Sequence, residues 1–336
     1  MRPTANGSPA DGHIPAGPPL AVTNLTPPPP PPPVVDPGPA PARRSGLAWG
    51  LVRTMRAKQW TKNVLVFAAP GAAGVLTHGS PLLHSLAAFA LFCAVSSGTY
   101  FLNDAMDVAA DRRHPRKRYR PVAAGIISVP VAVGVAFGLM IGGVALGTLL
   151  HAQLGLVLGI YVLLQVAYSS RLKHMPIYDL TCVAGGFLLR AIAGAVAVPV
   201  SVSEWFLIVT TFGSLLMVTG KRLAEHAELG EDRGGHRATL DAYSTTYLRI
   251  VVAMSATAAV VGYSLWAFGL RAAAIHHQDG IFFQLSIVPV LLALLHYTFL
   301  IDSGKGARPE ELVLKDRQLQ LLGAVWAILF AVGVYH

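Results

Sequence analysis

The stretch "YFLNDAMDVAADRRHPRKRYRPVAAG" (Tyr100–Gly125) lies between two apolar runs and decides how the rest of the sequence is interpreted. Asp104, Asp107 and Asp111 are spaced i, i+3 and i+7, which places their carboxylates within about 60° of arc on one helix face. Asn103 adds a neutral oxygen one position earlier. Carboxylates that face one another beside lipid need a cation, and hard oxygen ligands favour Mg²⁺. The pattern predicts a catalytic Mg²⁺ site of these four residues; the alternative is a solvated helix end whose aspartates pair with the following arginines.

Six basic residues follow the aspartates in "RRHPRKRYRP". A diphosphate that a metal partly neutralises needs further cationic contacts, and arginine forms forked hydrogen bonds to phosphate. The candidates are Arg112, Arg113, Arg116, Lys117, Arg118 and Arg120. We assign substrate contacts to the last four, although roughly half of the run is expected to anchor the chain at the membrane surface instead.

The composition indicates an integral membrane protein. Of the 336 residues, 53% are hydrophobic and only 13% are charged, whereas about a quarter of the residues in soluble domains are charged. The net charge of +9 could indicate nucleic acid, but bases beside membrane spans more often mark cytoplasmic loops or bind phosphate. No nucleic-acid-binding module is recognisable, so we expect no such partner.

Nine segments are apolar enough to cross a bilayer, which takes about 20 residues of helix. They are 63–79, 82–103, 126–149, 152–170, 177–198, 204–220, 247–270, 281–301 and 318–335. The sequence therefore predicts an all-α, polytopic membrane protein. Lys and Arg gather in every second connection, so the amino terminus and a cavity lined by the polar residues should face the cytoplasm, with the carboxyl terminus outside. A transporter with substrate groups near the bilayer midplane fits this one-sided distribution poorly.

The first 45 residues form a separate region. They are rich in Pro, Gly and Ala and include seven consecutive prolines, Pro27 to Pro33. Such a composition predicts a disordered cytoplasmic tail, extended as polyproline II where the prolines run. The membrane domain then covers 46–336.

Polar residues also border the other predicted cytoplasmic connections. They are Lys58, Lys62 and Asn63 before span 1, Tyr168, Lys173 and Asp179 between spans 4 and 5, and Lys221, Arg222, Glu225 and Glu228 after span 6. Lys58 and Lys62 are four residues apart and either clamp one phosphate or anchor the interface. Glu225 and Glu228 either form a weaker metal or ribose-hydroxyl site or a solvated helix end. Tyr168 either borders the substrate or anchors the interface.

Arg190 is unusual because it lies inside the fifth predicted span. It is eleven residues beyond Asp179 in the chain, hence about 16 Å deeper. A charged residue at such depth is a functional-site hypothesis, and pairing with a polar neighbour is favoured over direct contact with a lipid phosphate.

The segment "NDAMDVAAD" resembles the NDxxDxxxD signature of the UbiA superfamily of intramembrane prenyltransferases. Three further segments, "MRAKQWTKNVLVFAAP", "YSSRLKHMPIYD" and "GKRLAEHAEL", resemble one branch of it, the decaprenyl-phosphate phosphoribosyltransferases. The resemblance covers about 45–336. It departs from members that use a prenyl diphosphate, since their second motif, DxxxD, is absent after span 6 and Lys221 and Arg222 stand there.

The resemblance implies transfer of 5-phosphoribose from phosphoribosyl pyrophosphate to a polyprenyl (decaprenyl) phosphate in the plasma membrane, with Mg²⁺ and release of pyrophosphate. The product would be the precursor of the arabinose donor for cell-wall arabinan. It also implies Lys173 as a phosphate contact and Asp179 as a residue of the metal site or a direct neighbour of its ligands. Two alternatives stay open: a prenyltransferase that moves a lipid chain to an aromatic acceptor, and a polyprenyl-phosphate flippase. The oligomeric state is open too, with a homo-oligomer as one alternative.

Overall fold

A computed structural model of the chain describes residues 46–229, 242–273, 280–304, 312–313 and 315–335. These ranges contain helices, turns and bends, and no strand occurs within them. The predicted all-α class is therefore confirmed. The proline-rich tail, 1–45, lies outside the described residues.

The α-helices follow one another as α1 Leu47–Met55, α2 Ala68–Ala72, α3 Gly79–Met106, α4 Val108–Arg113, α5 Val129–Leu150, α6 Ala152–Ser170, α7 Tyr178–Ala197, α8 Glu204–Leu229, α9 Thr245–Ala273, α10 Ile281–Leu285, α11 Ile287–Asp302 and α12 Arg317–Tyr335. Four 3₁₀ segments connect them: Ala57–Phe67, Val75–Thr77, Lys117–Tyr119 and Leu172–His174.

Eight helical stretches of the described chain are long and apolar enough to cross a membrane. They are α3, α5, α6, α7, α8, α9, α10 together with α11, and α12. The polytopic architecture is confirmed, and the predicted number of nine is approximate. The difference is the first predicted span, 63–79, which is no continuous α-helix.

The segment that corresponds to this first span changes its helix type twice. It begins as the 3₁₀ helix Ala57–Phe67, becomes α2, and turns at Gly74 with φ of 70° before a second short 3₁₀ helix. Pro70 lacks a backbone donor, and Gly71 and Gly74 favour non-helical conformations, so a long α-helix is disfavoured there.

Helices α3 and α7 form the centre of the bundle, since a larger share of their residues is buried than in the other spanning helices. Gly194 of α7 lies directly against the backbone carbonyl of Val66, and a Cβ at this position would overlap that oxygen. Only glycine permits this approach of two backbones. This contact holds the 3₁₀ helix Ala57–Phe67 against α7. The residues that precede Val66 therefore lie beside the polar end of the bundle.

The chain around the aspartates remains nearly continuous helix. Helix α3 ends at Met106 and α4 begins at Val108, with Asp107 between them. The Asp107 N–H donates to the Asn103 carbonyl at 2.9 Å, and the Asp111 N–H donates to the Asp107 carbonyl at 2.8 Å. Because this i to i+4 pattern persists through the junction, the predicted common face is retained.

Candidate functional site

Two of the three aspartates share one arginine. Asp104 and Asp111 are 2% and 3% exposed, and Arg120 Nη1 lies 3.2 Å from Asp104 Oδ1 and 2.8 Å from Asp111 Oδ2. Arg120 comes back to α4 through the short 3₁₀ turn Lys117–Tyr119. A second guanidinium, that of Arg56, approaches the same Asp104 oxygen at 2.5 Å.

Asp107 has a different partner, because it points toward the connection between α6 and α7. Lys173 Nζ lies 2.8 Å from Asp107 Oδ1. The Asp107 side chain is 30% exposed, so it is the most accessible of the three carboxylates. Lys173 lies in the 3₁₀ segment Leu172–His174, and this segment thereby joins the aspartates to the start of α7.

The carboxylates of the three aspartates form ion pairs with basic side chains in this structure and do not converge on one point as metal ligands would. In the part of the chain that the structure describes, no three acidic, histidine or cysteine side chains are close enough together to hold a metal ion. The donor chemistry nevertheless fits a hard divalent cation, since the carboxylates of Asp104 and Asp111 both face the Arg120 guanidinium, which already supplies positive charge there. A metal could bind these oxygens once that guanidinium moves away.

The remaining bases of the run after α4 have other contacts or face outward. Arg112 Nε donates to the Ala123 carbonyl at 3.2 Å, and the Arg118 guanidinium lies over the Tyr119 ring and bonds to its hydroxyl. Arg113 and Arg116 are exposed, whereas Lys117 is half-buried. Among the six predicted bases, Arg120 is the one with described ion pairs to the aspartates.

A second charged group lies at the start of α7 and the end of α8. Asp179 is fully buried, and Arg222 Nε lies 3.2 Å from its Oδ2. Arg222 Nη1 also bonds to Glu225 Oε2 at 2.8 Å, and the arginine is only 4% exposed. Lys221 has a 40% exposed side chain, 3.9 Å from Glu225, so it is the accessible cation of this group. The Glu228 side chain lies outside the described residues.

Tyr243, which the sequence interpretation missed, completes this second group. Its hydroxyl donates to Asp179 Oδ1 and accepts a hydrogen bond of 2.6 Å from the Ile177 N–H. Burial, followed by the hydrogen bond to Asp179, raises the pKa of the Tyr243 phenol, so it stays a donor. Ile177 has φ of 70°, a strained conformation for a β-branched residue, and Tyr243 holds its N–H in that turn.

Arg190 belongs to a third, deeper group. It is 5% exposed and donates to Asn63 Oδ1 at 2.7 Å, to the Gly186 carbonyl at 2.6 Å and to the Tyr161 hydroxyl at 3.0 Å. The guanidinium also lies 5.6 Å from the centre of the Phe92 ring. Asn63 and Arg190 thus pair with each other, and this pair joins the first 3₁₀ segment to α7.

Three other predicted residues lie near the same end of the bundle. Lys58 is exposed, and Lys62 and Tyr168 are half-buried. Lys58 and Lys62 are in a 3₁₀ helix, where residues four apart are rotated by about 120°. The predicted shared face assumed an α-helix, whereas the structure has a 3₁₀ helix there, and the phosphate clamp stays a prediction. Asn103 is half-buried at the end of α3.

Arg56 and Tyr243 are the residues of this site that the sequence pattern did not reveal. Arg56 looked like one base among several before the first span, and Tyr243 is 64 positions away from Asp179. Arg56 had one signal in the sequence, because it lies within "MRAKQWTKNVLVFAAP", one of the segments that resemble the family.

A comparison with protein families finds a match to the UbiA prenyltransferase family over residues 64–332. Among curated proteins, decaprenyl-phosphate phosphoribosyltransferase from Corynebacterium glutamicum is 44% identical over 295 residues, which cover 86% of this chain and 88% of that protein. The protein of the same name from Mycolicibacterium smegmatis is 41% identical over 302 residues, with coverage of 86% and 93%.

Solved structures of similar fold include a UbiA homolog from Archaeoglobus fulgidus bound to GPP and Mg²⁺. It has a TM-score of 0.62 and 19% identity, and the match covers 84% of this chain and 98% of that one. The same homolog bound to DMAPP and Mg²⁺ gives a TM-score of 0.63. At this identity the likeness concerns the fold.

Proposed function

The chain belongs to the UbiA prenyltransferase family, and on this basis we propose that it transfers 5-phosphoribose from phosphoribosyl pyrophosphate to decaprenyl phosphate and releases pyrophosphate. The observation that carries the proposal is the identity of 41–44%, over most of both chains, to relatives named decaprenyl-phosphate phosphoribosyltransferase. Two residues in the last part of α8 agree with it, because Lys221 and Arg222 stand where the resemblance places the second aspartate pair of prenyl-diphosphate enzymes.

The donor's diphosphate and a divalent cation would bind at the aspartates. Asp104, Asp107 and Asp111, with Asn103, are the oxygen ligands for Mg²⁺, which when bound stabilises negative charge on the departing pyrophosphate. The bases that now neutralise the carboxylates would then be released. Arg120 and Lys173 are close enough to turn from a carboxylate to a phosphate oxygen of the donor.

The acceptor needs no proton removal by the protein. Its phosphate is already an anion at neutral pH, with a second pKa near 6 by analogy with phosphorylated side chains. A phosphate oxygen attacks ribose C1, the bond from C1 to the pyrophosphate oxygen breaks, and the pyrophosphate leaves with the electron pair. Direct attack inverts C1, so an α-configured donor gives a β-linked product. The protein's contribution is alignment of two anionic substrates by fixed cations, with Lys221 as the accessible base near α8.

The proposal places the site in the cytoplasm, at the inner membrane of the cell. The basic connections lie at the same end of the helices as the aspartates, and the positive-inside rule puts that end and the amino terminus in the cytoplasm, with the carboxyl terminus outside. The water-soluble donor would enter from there. The product would supply the reactions that make the arabinose donor for cell-wall arabinan.

A second function is supported by one observation. The solved Archaeoglobus fulgidus homolog binds GPP with Mg²⁺, which is the substrate type of a prenyltransferase that moves a lipid chain. This chain shares its fold at 19% identity, against 41–44% with the phosphoribosyltransferases, so prenyl transfer to an aromatic acceptor is the weaker candidate.

One assay tests the choice between them. Purified protein is incubated with Mg²⁺, decaprenyl phosphate and labelled phosphoribosyl pyrophosphate, and the lipid phase is extracted and counted. Label in the lipid phase supports the proposal. Absence of label, together with prenylation of an aromatic acceptor from a prenyl diphosphate, would replace it by the second function.

A further inference from the structure

Arg56 stands at an unusual turn of the backbone. It follows α1 and precedes the 3₁₀ helix Ala57–Phe67, with φ of 53° and ψ of 53° in the left-handed region. In the described residues, it and Ile177 are the two non-glycine positions with positive φ. A residue with a side chain adopts this conformation at a cost in free energy, and such outliers concentrate at functional sites. The left-handed conformation of Arg56 therefore indicates that the position of its side chain serves a purpose that offsets this cost.

The neighbours of Arg56 fix this turn against α3. The Ser97 hydroxyl donates to the Met55 carbonyl at 3.2 Å, and Trp60 Nε1 donates to the Ser97 oxygen at 3.1 Å. The Gln59 N–H donates to the carbonyl of Arg56 itself at 2.7 Å. The two sides of the turn are thus tied to one residue of α3, and the arginine side chain is directed along that helix toward the aspartates.

The guanidinium of Arg56 ends at a carboxylate that already has a base. Its Nη2 lies 2.5 Å from Asp104 Oδ1, the oxygen that Arg120 also approaches, and its Cζ lies 4.8 Å from the centre of the Tyr100 ring. The Arg56 side chain is 28% exposed, whereas Asp104 is buried. The guanidinium therefore lies at the boundary between the buried carboxylate and the space above it.

Acids and bases are equal in number among the described ion pairs of the cluster. Three acids face three bases, namely Asp104, Asp107 and Asp111 against Arg56, Arg120 and Lys173. A divalent cation that enters among the carboxylates takes over their neutralisation and repels the bases. Each released base would then lie a short distance from the anion that accompanies the cation. The two partners of Asp104, Arg56 and Arg120, both have side chains that are 28% exposed, so each guanidinium can reach solvent.

We propose that Arg56 is a further substrate-binding residue of this site: its guanidinium, which pairs with Asp104 in the structure, passes to a diphosphate oxygen when the donor binds with its cation. The inference rests on the proposed function only in that the donor carries a diphosphate. The planar guanidinium of arginine suits this exchange, because its paired N–H groups can donate to two oxygens of either a carboxylate or a phosphate. The ring of Tyr100 lies beside the guanidinium in its position at Asp104.

Arg53 provides a matched control on the same helix. It is exposed, and its guanidinium lies over the Trp49 ring at 4.9 Å from the centre. It is three residues from Arg56 and makes no described ion pair with the aspartates. Arg53→Gln removes one positive charge from α1 without changing the bonds of Asp104.

The test separates anion binding from metal binding in the full-length protein in detergent. Calorimetric titration with inorganic pyrophosphate in the presence of Mg²⁺ measures the first, and electron paramagnetic resonance of added Mn²⁺, without pyrophosphate, measures the second. For Arg56→Gln we expect pyrophosphate affinity to fall about tenfold or more, since a charge-assisted bond is lost. Mn²⁺ affinity should be retained or increase, because one competitor for Asp104 is gone. Arg53→Gln should match the wild type in both.

Two results would overturn the inference. If Arg56→Gln binds pyrophosphate within twofold of the wild type, the arginine does not contact the diphosphate. If pyrophosphate and Mn²⁺ affinities fall together, Arg56 only shapes the carboxylates. Should Arg56→Gln not fold, Arg56→Lys decides: it keeps the charge without the fork, so we expect about threefold weaker pyrophosphate binding with unchanged Mn²⁺ affinity, and wild-type pyrophosphate binding refutes the proposal.

Experiments can refute the role of Arg56 and the proposed function independently of each other. A wild-type protein that transfers no phosphoribose but shows the expected loss in Arg56→Gln would disprove the proposed donor and leave Arg56 as a diphosphate contact. Phosphoribose transfer by the wild type, with unchanged pyrophosphate binding by Arg56→Gln, would do the reverse.

Discussion

Replacing Tyr243 by phenylalanine tests whether the hydroxyl holds the junction before α7. The change removes one oxygen that donates to the buried carboxylate of Asp179 and accepts from the Ile177 N–H. A hydrogen bond to a charged group contributes about 1.5–3 kcal/mol. Ile177 is 53% exposed, so its N–H finds water in the variant and adds little. The expected loss of stability is about 2–3 kcal/mol.

The assay is thermal unfolding of the purified protein, where a loss of this size lowers the midpoint by roughly 5 °C or more. Tyr247→Phe is the matched control, because the Tyr247 ring stacks on Tyr243 at 5.8 Å between centres while the residue is 37% exposed. It should change the midpoint by about 1 °C at most. The Tyr243→Phe variant should also transfer phosphoribose about tenfold more slowly, since the same turn carries Lys173 toward Asp107.

A double-mutant cycle identifies the partner. Asp179→Ala removes the acceptor and Tyr243→Phe removes the donor of one hydrogen bond, so their effects on stability should be non-additive by about 1 kcal/mol or more. Equal unfolding midpoints of Tyr243→Phe and Tyr247→Phe, or additive effects in the cycle, would refute the assignment of Tyr243 as the residue that holds this turn.

Three further predictions concern other parts of the molecule. Gly194→Ala places a methyl group against a facing backbone carbonyl, and should lower stability by about 3 kcal/mol in thermal unfolding, whereas Gly213→Ala, where the added Cβ meets open space, should not lower it. Asp107→Asn, at the most exposed of the three aspartates, should abolish phosphoribose transfer while the unfolding midpoint is preserved; full activity would remove the metal-site proposal. The Asp316 carboxylate caps α12 by accepting from the Leu319 N–H, and this bond lowers the pKa of the carboxyl. The stability that the ionised carboxylate contributes is therefore present above the ordinary pKa near 3.9 and is lost as pH falls through the lowered pKa. Asp316→Asn should flatten the dependence of unfolding temperature on pH below 4.

The sequence predicted those features that depend on local periodicity. The common face of Asp104, Asp107 and Asp111 follows from helical spacing, and the structure keeps it because backbone bonds continue across Asp107. The spanning helices follow from apolar length. The segment before α3 could not be predicted in the same way, since its 3₁₀ form results from Pro70, glycines and close packing on Gly194.

The pairing of charges was less accessible to sequence reasoning. That Arg120 rather than Arg112 reaches the aspartates depends on the turn between them, and that Arg222 faces Asp179 depends on the packing of α8 against α7. The contact of Arg56 with Asp104 depends on a left-handed backbone conformation at Arg56, which the presence of an arginine in the sequence does not predict. These contacts join positions up to 48 residues apart in the chain, so no local pattern contains them.

The self-neutralised aspartate cluster has a consequence for the design of inhibitors. An anionic compound that imitates only the diphosphate meets bases already bonded to carboxylates, and it must separate those ion pairs while leaving Asp104 and Asp111 buried without a counter-charge. A compound that carries both a cationic and an anionic group offers a cation to the carboxylates and an anion to the released bases at the same time. Zwitterionic scaffolds should therefore outperform plain diphosphate analogues, and their advantage should be greatest when free divalent metal is scarce.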